Sequence, residues 1–172
     1  MIARERLMEM LRYEPQSGRL IWLKSWGRRR AGNVAGCHDK DGYIQVGLDG
    51  YRMKAHRIIW LIVYGELPSV DIDHIDRNPS NNILTNLRLA TRSQNLINSG
   101  VPCTSTSGIK GATFSKQMKK WHSYIQKDKK HIFLGSFRTK EEAGLAYQQA
   151  ARNLFGEFHM ASPSLTNSLR IV

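Results

Sequence analysis

The sequence is poor in cysteine and contains no long hydrophobic run. Only Cys37 and Cys103 occur among 172 residues, and because they form no CxxC pair, no structural zinc is predicted. So few cysteines also indicate a reducing compartment. The longest apolar run, residues 58–64, is too short to span a bilayer, and residues 1–15 lack the apolar region of a signal peptide. We therefore expect a cytoplasmic protein without a membrane partner.

Acidic residues are also scarce. The chain has 14 Asp and Glu against 26 Lys and Arg, which gives a formal net charge of +12. Such an excess attracts polyanions, because each cation docked on a phosphate releases a condensed counterion. Nucleic acid is the favoured partner, and an anionic membrane is disfavoured because no long basic amphipathic helix is evident. The basic run 28–30 is either a solvated loop or a phosphate contact, and the sequence favours neither.

Hydrophobic residues make up 41% of the chain, which is enough for a packed core, and the length suits one sizeable domain or two small ones. Periodic apolar positions predict a helix over residues 2–12, and residues 19–23 are typical of a strand. Alternating runs on either side of Asp49-Gly50 predict a β-hairpin. A further helix is predicted over residues 55–64, ending at the glycine that follows.

The next part of the chain predicts the order strand, loop, strand, helix. A strand-like stretch over residues 70–75 is followed by a polar loop over 76–82 and a second short strand over 86–89. Thr91 is a good N-cap for the helix that comes after them.

Residues 99–108 are small and polar, and we interpret them as a linker between two domains, residues 1–98 and 109–172. The second domain shows three strand-like runs and then a helix that opens with a capping box at Thr139 and Glu142. It is predicted to form a small three-stranded antiparallel sheet packed on one helix. The three runs cover residues 111–114, 121–127 and 130–134.

The middle strand of this second domain alternates between two kinds of residue. Trp121 and Ile125 share the face that we predict as core, whereas Tyr124 and Gln126 share the opposite, exposed face. Many lysines surround that exposed face in the sequence. Because a β-sheet can enter the major groove and read base edges, the second domain is predicted to bind DNA.

Asp73 and His74 are adjacent at the end of the strand-like stretch 70–75. Phosphodiester hydrolysis needs a group that deprotonates water and a cation that neutralises the leaving oxygen. Histidine suits the first task because its pKa lies near neutrality, and hard oxygen ligands suit magnesium. Asn86 and Asn95 lie downstream with side-chain oxygens of that kind. Taken alone, such an Asp-His pair is more often a surface hydrogen bond than a catalytic site.

Several short motifs surround this pair. They are Gly42-Tyr43-Ile44, Ala55-His56-Arg57-Ile58-Ile59-Trp60, Ile72-Asp73-His74-Ile75-Asp76, Asn81-Asn82-Ile83, Thr85-Asn86-Leu87-Arg88 and Ser93-Gln94-Asn95. Together they resemble the HNH endonuclease family over residues 13–98, and more narrowly its phage and intron-encoded homing endonucleases. The resemblance implies an α+β protein with a ββα-metal (His-Me finger) nuclease domain.

The resemblance also implies a role for each residue of the site. His74 would activate the attacking water as general base, and Asn86 would brace the loop and orient that histidine. Asp73 and Asn95 would hold one divalent ion, Mg²⁺ or Mn²⁺. The products would carry 5′-phosphate and 3′-hydroxyl ends, and the absence of zinc-binding cysteines places the chain among the zinc-free members.

Three further residues of the first domain are candidate DNA contacts. His56 would contact a phosphate or support the site; the favoured alternative is a helix-start residue with a satisfied hydrogen bond. Arg57 and Arg88 would either hold phosphates or pair with nearby acids such as Asp71 and Asp76.

The second domain carries its own set of motifs, Lys110-Gly111-Ala112-Thr113-Phe114, Lys120-Trp121, Phe133-Leu134-Gly135-Ser136-Phe137 and Glu141-Glu142-Ala143-Gly144-Leu145-Ala146-Tyr147. They resemble the plant APETALA-type, ethylene-response-factor-like DNA-binding domain. The plant domain has mostly Arg, Trp and Glu at its contact positions, so its base preference does not carry over. The resemblance implies DNA contacts by Lys110, Thr113, Tyr124, Gln126, His131 and Phe133.

The sequence therefore predicts a metal-dependent, site-biased, homing-type endonuclease that acts on double-stranded DNA. The first domain would cut, and the second would help to choose the site. A monomer with one active site would nick one strand, and a double-strand break would need a dimer or a second binding event. The alternatives are a non-catalytic DNA-binding regulator and a structural or RNA-binding accessory protein.

Overall fold

The computed structural model describes residues 2–102 and 104–158, which form a mixed α/β structure. The chain divides into two compact units, Met1–Ala90 and Thr91–Val172. Cys103 and the end of the predicted C-terminal tail lie outside the described residues. Across the part of the chain that is described, no helix has the length and apolar character needed to cross a membrane.

The first unit is built from short helices and strands. All of its strand pairs are antiparallel: β1 pairs with β2, β4 lies between β3 and β5, and β6 pairs with β7. The elements are α1 (Arg4–Met10), β1 (Leu11–Glu14), β2 (Arg19–Trp22), β3 (Cys37–His38), β4 (Ile44–Leu48), β5 (Tyr51–Lys54), α2 (Ala55–Tyr64), β6 (Asp71–His74), a 3₁₀ turn (Leu84–Asn86) and β7 (Leu87–Ala90).

One hydrophobic core holds the first unit together. Ile58 and Ile59 of α2 are buried in it with Leu7 of α1, Leu20 of β2 and Val46 of β4. Burial of an aliphatic side chain of this size stabilises the fold by about 1.5–3 kcal/mol. Helix α2 is therefore firmly anchored, and its first turn carries two of the candidate DNA contacts.

Two local predictions for this unit are confirmed. Asp49 and Gly50 have φ angles of 48° and 80°, the left-handed values that a two-residue hairpin turn requires, and they join β4 to β5. Helix α2 covers Ala55–Tyr64 and ends at Gly65, whose φ of 87° gives a left-handed C-cap.

The predicted helix over residues 2–12 is too long. Helix α1 ends at Met10, and Leu11 adopts an extended conformation that begins β1 opposite Trp22. The apolar pattern alone did not reveal this change, because Leu11 is buried with Leu7 and Met10 in the same core.

The second unit contains a helix, a three-stranded sheet and a longer helix. The strand order is β10-β9-β8, both pairs are antiparallel, and α4 lies against all three strands. The capping boxes at Thr91 with Gln94 and at Thr139 with Glu142 are both formed. The elements are α3 (Arg92–Asn98), β8 (Ala112–Ser115), β9 (Lys120–Lys127), β10 (Lys130–Phe137), α4 (Lys140–Phe155) and a 3₁₀ turn (Gly156–Phe158).

The units divide at a different place from the one that the sequence predicted. The predicted boundary was the linker 99–108, but the second unit already begins at Thr91 and includes α3. The reason is packing, since Ile97 of α3 shares a core cluster with Ile125 and Tyr147 of the second unit. The predicted linker follows α3 and so lies inside the second unit.

Candidate active site

Asp73 and His74 are the last two residues of β6, and both are buried, with exposed fractions of 6% and 5%. The antiparallel register places Asp73 opposite Arg88 and His74 opposite Leu87. The Nε of Arg88 donates a hydrogen bond of 3.0 Å to Oδ2 of Asp73. Arg88 thus pairs with an acid, Asp73, as one of its two interpretations proposed.

The His74 ring is held by Asn82, whose side chain is 2% exposed. Nε2 of His74 lies 3.0 Å from Oδ1 of Asn82, and Nδ2 of Asn82 donates to the carbonyl of Ser80 at 3.2 Å. This second hydrogen bond fixes the amide, so Oδ1 accepts a hydrogen bond from the N–H at Nε2 of His74. In the neutral imidazole that donates through Nε2, the lone pair lies on Nδ1.

Burial lowers the pKa of His74 below its ordinary value, and the hydrogen bond to Asn82 opposes that shift. The ring is therefore neutral near pH 7. A neutral imidazole is the form that can act as a general base.

Two aromatic side chains pack against His74. The His56 ring lies edge-on to it with centroids 5.0 Å apart, and the Tyr43 ring lies 5.9 Å away. Burial, with nearby His74, Lys54 and Arg57, lowers the pKa of His56 to about 3, so this ring also stays uncharged. His56 is only 6% exposed and packs against the His74 ring, which favours its interpretation as support for the site; its contact with DNA stays a prediction.

Lys54 brings a positive charge to this cluster. Its Nζ lies 3.3 Å from the centroid of the Tyr43 ring, a cation–π contact at the end of β5. Burial raises the pKa of Tyr43, and so does the charge of Asp73. The sequence reasoning missed Lys54, and the only available signal was its position just before the Ala55-His56-Arg57 motif. Arg57 itself is half-buried on α2.

The loop between β6 and β7 is closed by Asn86. Its Oδ1 accepts from the backbone N–H of Asp76 at 3.0 Å, and its Nδ2 donates to Asp76 Oδ1 at 2.9 Å and to the carbonyl of Asn81 at 2.8 Å. Asn86 thus braces the loop, but the side chain hydrogen-bonded to His74 is Asn82. The expectation that Asn86 also orients the histidine stays a prediction.

The hairpin β1–β2 supports the same loop. The Tyr13 hydroxyl donates to the carbonyl of Asn82 at 3.4 Å and accepts from the N–H of Leu84 at 3.0 Å. Gly18 has a φ of 70°, and a Cβ added there would lie 2.5 Å from the backbone N of Ile83. The sequence pattern gave no indication that either residue belongs to the site.

Asn95 lies on α3, in the second unit, and is half-buried. The predicted ligands Asp73 and Asn95 both offer oxygen donors, which suit a hard cation such as Mg²⁺. A carboxylate has about four acceptor positions, so the Arg88 hydrogen bond does not prevent Asp73 from ligating an ion. No group of three His, Cys, Asp or Glu side chains suited to a metal occurs within residues 2–102 and 104–158. The donor set fits an ion that keeps much of its own water, as Mg²⁺ does.

Five predicted DNA contacts share the open face of the second unit's sheet. Thr113 pairs with His122, Phe133 with Tyr124, and His131 with Gln126. The Tyr124 and Phe133 rings are 40% and 52% exposed, and their centroids lie 5.1 Å apart. Ser123 and Ile125, which alternate with these residues, are buried. The face is thus an exposed aromatic and polar surface made by Thr113, Tyr124, Gln126, His131 and Phe133.

Lys110, another predicted DNA contact, lies at the end of α3. Its ammonium donates to the carbonyls of Leu96 at 2.7 Å and Ile97 at 2.9 Å, and also to the carbonyl of Ser99. The charge lies at the C-terminal end of α3, where helix carbonyls lack intrahelical partners. The contact of Lys110 with DNA stays a prediction.

The basic run of the first unit forms an ordered loop. The Arg29 guanidinium lies 5.0 Å from the Trp22 ring centroid and 4.8 Å from that of Trp26. Trp26 and Arg29 also exchange backbone hydrogen bonds. Arg28 and Arg30, which flank Arg29, are exposed, and all three arginines line a cavity of about 320 Å³.

Comparison with known proteins gives matches that include this site. Residues 53–97 match the family model described as HNH endonuclease. The uncharacterized HNH endonuclease L560 of Acanthamoeba polyphaga mimivirus is 37% identical over 121 residues, which cover 69% of this chain and 62% of that relative. Protein 3.8 of Escherichia phage T7 is 35% identical over 100 residues, 52% of this chain and 83% of that protein. A solved structure of the HNH homing endonuclease I-HmuI is 26% identical, with a TM-score of 0.43, over 55% of this chain and 54% of its own.

The matched segment contains the buried Asp73 and His74, Asn82 and the loop that Asn86 braces. The chain belongs to the HNH endonuclease family. It spans less than two thirds of the length of the mimivirus relative.

Proposed function

We propose that the protein is a metal-dependent endonuclease that hydrolyses phosphodiester bonds of double-stranded DNA. The observation that carries the proposal is the buried histidine of the family motif. His74 is neutral, is held through Nε2 by Asn82, and lies beside Asp73. A general base needs this combination of a fixed ring and a free-base protonation state.

In the proposed reaction, Nδ1 of His74 removes a proton from a water molecule. The water oxygen forms a bond to phosphorus while the bond from phosphorus to the 3′ oxygen breaks. The released strand ends carry a 5′-phosphate and a 3′-hydroxyl, the latter after the leaving oxygen gains a proton. Asn82 keeps the imidazole in the required tautomer, and uncharged His56 and Tyr43 keep its plane fixed.

Asp73 and Asn95 are the proposed ligands of one Mg²⁺ or Mn²⁺ ion. When bound, the ion supplies positive charge that stabilises the leaving oxygen. Arg88 limits the negative charge of Asp73 and fixes its carboxylate through the 3.0 Å hydrogen bond. Arg57 is proposed to hold a phosphate of the bound strand.

The open face of the second unit is the proposed DNA-binding surface. Its exposed Tyr124 and Phe133 rings and the polar Gln126 suit contact with base edges in the major groove. The net charge of +12 supplies the electrostatic attraction. We therefore propose a site-biased, homing-type enzyme with an APETALA-like second domain that as a monomer nicks one strand.

The test is nicking of a supercoiled plasmid by the full chain with Mg²⁺ or Mn²⁺. His74→Ala is expected to reduce the rate by about 10²–10⁴-fold, the usual contribution of a general base. Its affinity for duplex DNA should be unchanged, and added imidazole should restore part of the rate. If the wild-type protein binds duplex DNA but does not cut it with any metal or DNA sequence tested, it is instead a non-catalytic DNA-binding regulator. Preference for RNA over duplex DNA in competition would contradict the proposed substrate.

A further inference from the structure

Helix α3, which carries Asn95, is too short to be stable alone. It has seven residues, Arg92–Asn98, whereas isolated helices below about 12–15 residues are marginal in water. Its geometry must therefore be imposed by what it packs against. Within the second unit, contacts at three places along the helix supply that support.

The first contact is near the start of the helix, where the backbone N–H of Asp128 donates to Ser93 Oγ at 3.2 Å. Asp128 lies in the turn between β9 and β10. The second contact is apolar, because Ile97 is 4% exposed and clusters with Ile125 and Tyr147. The sheet and α4 thus hold one face of α3.

The third contact is at the end of the helix, where Lys110 meets the carbonyls of Leu96, Ile97 and Ser99 and the Ser99 hydroxyl. The last carbonyls of a helix lack intrahelical partners and carry partial negative charge, so an ammonium there is stabilising. Hydrogen bonds from a charged donor are among the strongest in proteins. Lys110 belongs to the segment just before β8, so the sheet domain itself supplies this cap.

We propose that Lys110 is a positioning residue for the metal site: by closing the end of α3, it lets the second unit set the position of the Asn95 side chain. The proposal rests on the proposed role of Asn95 as a metal ligand. Asn95 lies between the Ser93 contact and the Lys110 cap. Loss of the cap therefore makes the helical turn after Asn95 less stable. Within the second unit, the sheet and Lys110 thus fix the helix that carries this proposed ligand.

The test uses three variants of the full chain. Lys110→Met keeps the apolar stem but removes the charge, and Lys110→Arg keeps a cationic donor. Lys116→Met removes the same charge from an exposed lysine that follows β8. Any effect of net charge on DNA affinity is therefore common to the two Met variants.

The first measurement is amide hydrogen exchange over residues 95–99. In Lys110→Met these amides should exchange about 10-fold or more faster than in Lys116→Met, because a charge-assisted cap is lost. The amides of the sheet should keep their protection from exchange. Lys110→Arg should restore most of the protection of residues 95–99. Equal exchange in the two Met variants would overturn the proposal.

The second measurement is the Mn²⁺ concentration that gives half-maximal nicking, together with Mn²⁺ binding followed by electron paramagnetic resonance. Lys110→Met should raise the half-maximal Mn²⁺ concentration and the Mn²⁺ dissociation constant by about 5–10-fold each, in line with the cost of a disturbed supporting contact. At saturating Mn²⁺ the nicking rate of Lys110→Met should approach that of Lys116→Met. The two variants should also have the same affinity for duplex DNA in EDTA. A loss of duplex affinity with unchanged Mn²⁺ dependence would show that Lys110 contacts DNA, which overturns the proposal.

Failure of the proposed function is distinguishable from failure of this inference. If the wild-type chain does not cut DNA, the proposed function falls. Exchange over residues 95–99 and Mn²⁺ resonance then still decide whether Lys110 holds α3 and its ligand in place.

Discussion

Asn82 accepts a hydrogen bond of 3.0 Å from Nε2 of His74, and both side chains are buried. The amide of Asn82 is itself fixed by its contact with the carbonyl of Ser80. This chain of hydrogen bonds determines which nitrogen of the imidazole accepts a proton. It links the loop between β6 and β7 to the proposed chemistry.

Asn82→Ala should therefore impair cleavage without impairing DNA binding. Loss of the acceptor frees the ring to adopt the other tautomer and orientation, and we expect a fall of about 10–100-fold in the maximal nicking rate. Plasmid nicking and duplex affinity measure the two effects. Asn78→Asp is the control, because Asn78 is exposed and its Oδ1 only accepts from the N–H of Ser80. An Asn82→Ala enzyme as fast as the control would remove the proposed role of this contact.

The depressed pKa of His56 predicts a pH dependence of stability. Burial and the neighbouring His74, Lys54 and Arg57 lower the pKa of His56 from 6.5 to about 3. Between these values the unfolded chain binds a proton that the folded chain does not, so stability falls as the pH falls from 6.5 toward 3. The slope from this one group is at most about 1.4 kcal/mol per pH unit.

Urea unfolding of wild type and His56→Phe at a series of pH values isolates this contribution. Phe cannot titrate, so the difference in unfolding free energy between the two proteins should shift in favour of the variant as the pH falls. The neighbouring charged groups and Tyr43 are common to both proteins. A difference that does not change with pH would contradict the assignment.

Gly18 predicts a stability effect that depends on close backbone approach. Gly18→Ala places a methyl group 2.5 Å from the backbone N of Ile83, in the loop that carries Asn82. We expect a loss of about 2–4 kcal/mol in unfolding free energy, from the clash and the left-handed backbone together. Gly27→Ala is the matched control, because Gly27 also has a positive φ of 58° but would meet nothing within 4 Å. Chemical denaturation of both variants gives the comparison, and equal losses would refute a close-contact effect.

The arginine loop predicts a change in salt dependence. Arg29 is held between Trp22 and Trp26, which presents Arg28 and Arg30 at the edge of one cavity. If these two side chains contact phosphates, the double change Arg28→Gln with Arg30→Gln should reduce the slope of log affinity against log salt by about 1–2. Lys40→Gln, at an exposed lysine outside the loop, should leave the slope unchanged. An unaltered slope in the double variant would favour the solvated-loop interpretation.

Features set by neighbouring residues were predictable from the sequence. The Asp49-Gly50 turn, the end of α2 at Gly65, the N-cap at Thr91 and the capping box at Thr139 are all present where the pattern placed them. Each depends on a few adjacent residues whose backbone preferences point the same way. The end of α1 was mispredicted because Leu11 is apolar and buried in either conformation.

Features set by long-range packing were not predictable in the same way. Asn82 and Asn86 are both loop asparagines, and only the folded loop shows that the former reaches His74. Tyr13 joins the site from a strand about 70 positions earlier. Lys110 resembles a DNA contact in the motif, but its ammonium lies on the carbonyls of α3. In each case the partner is distant in sequence, so no local pattern encodes it.

The division between Ala90 and Thr91 bears on how such proteins can be recombined. A chimera joined at the small polar residues 99–108 would leave α3 with the wrong partner, because its core contacts come from the second unit. A junction just before Thr91 would transfer α3 with Asn95, the sheet and α4 together as one folded unit. The part that packs together therefore includes Asn95, a proposed metal ligand, and an exchange of the proposed DNA-binding surface between relatives should keep α3 with its sheet.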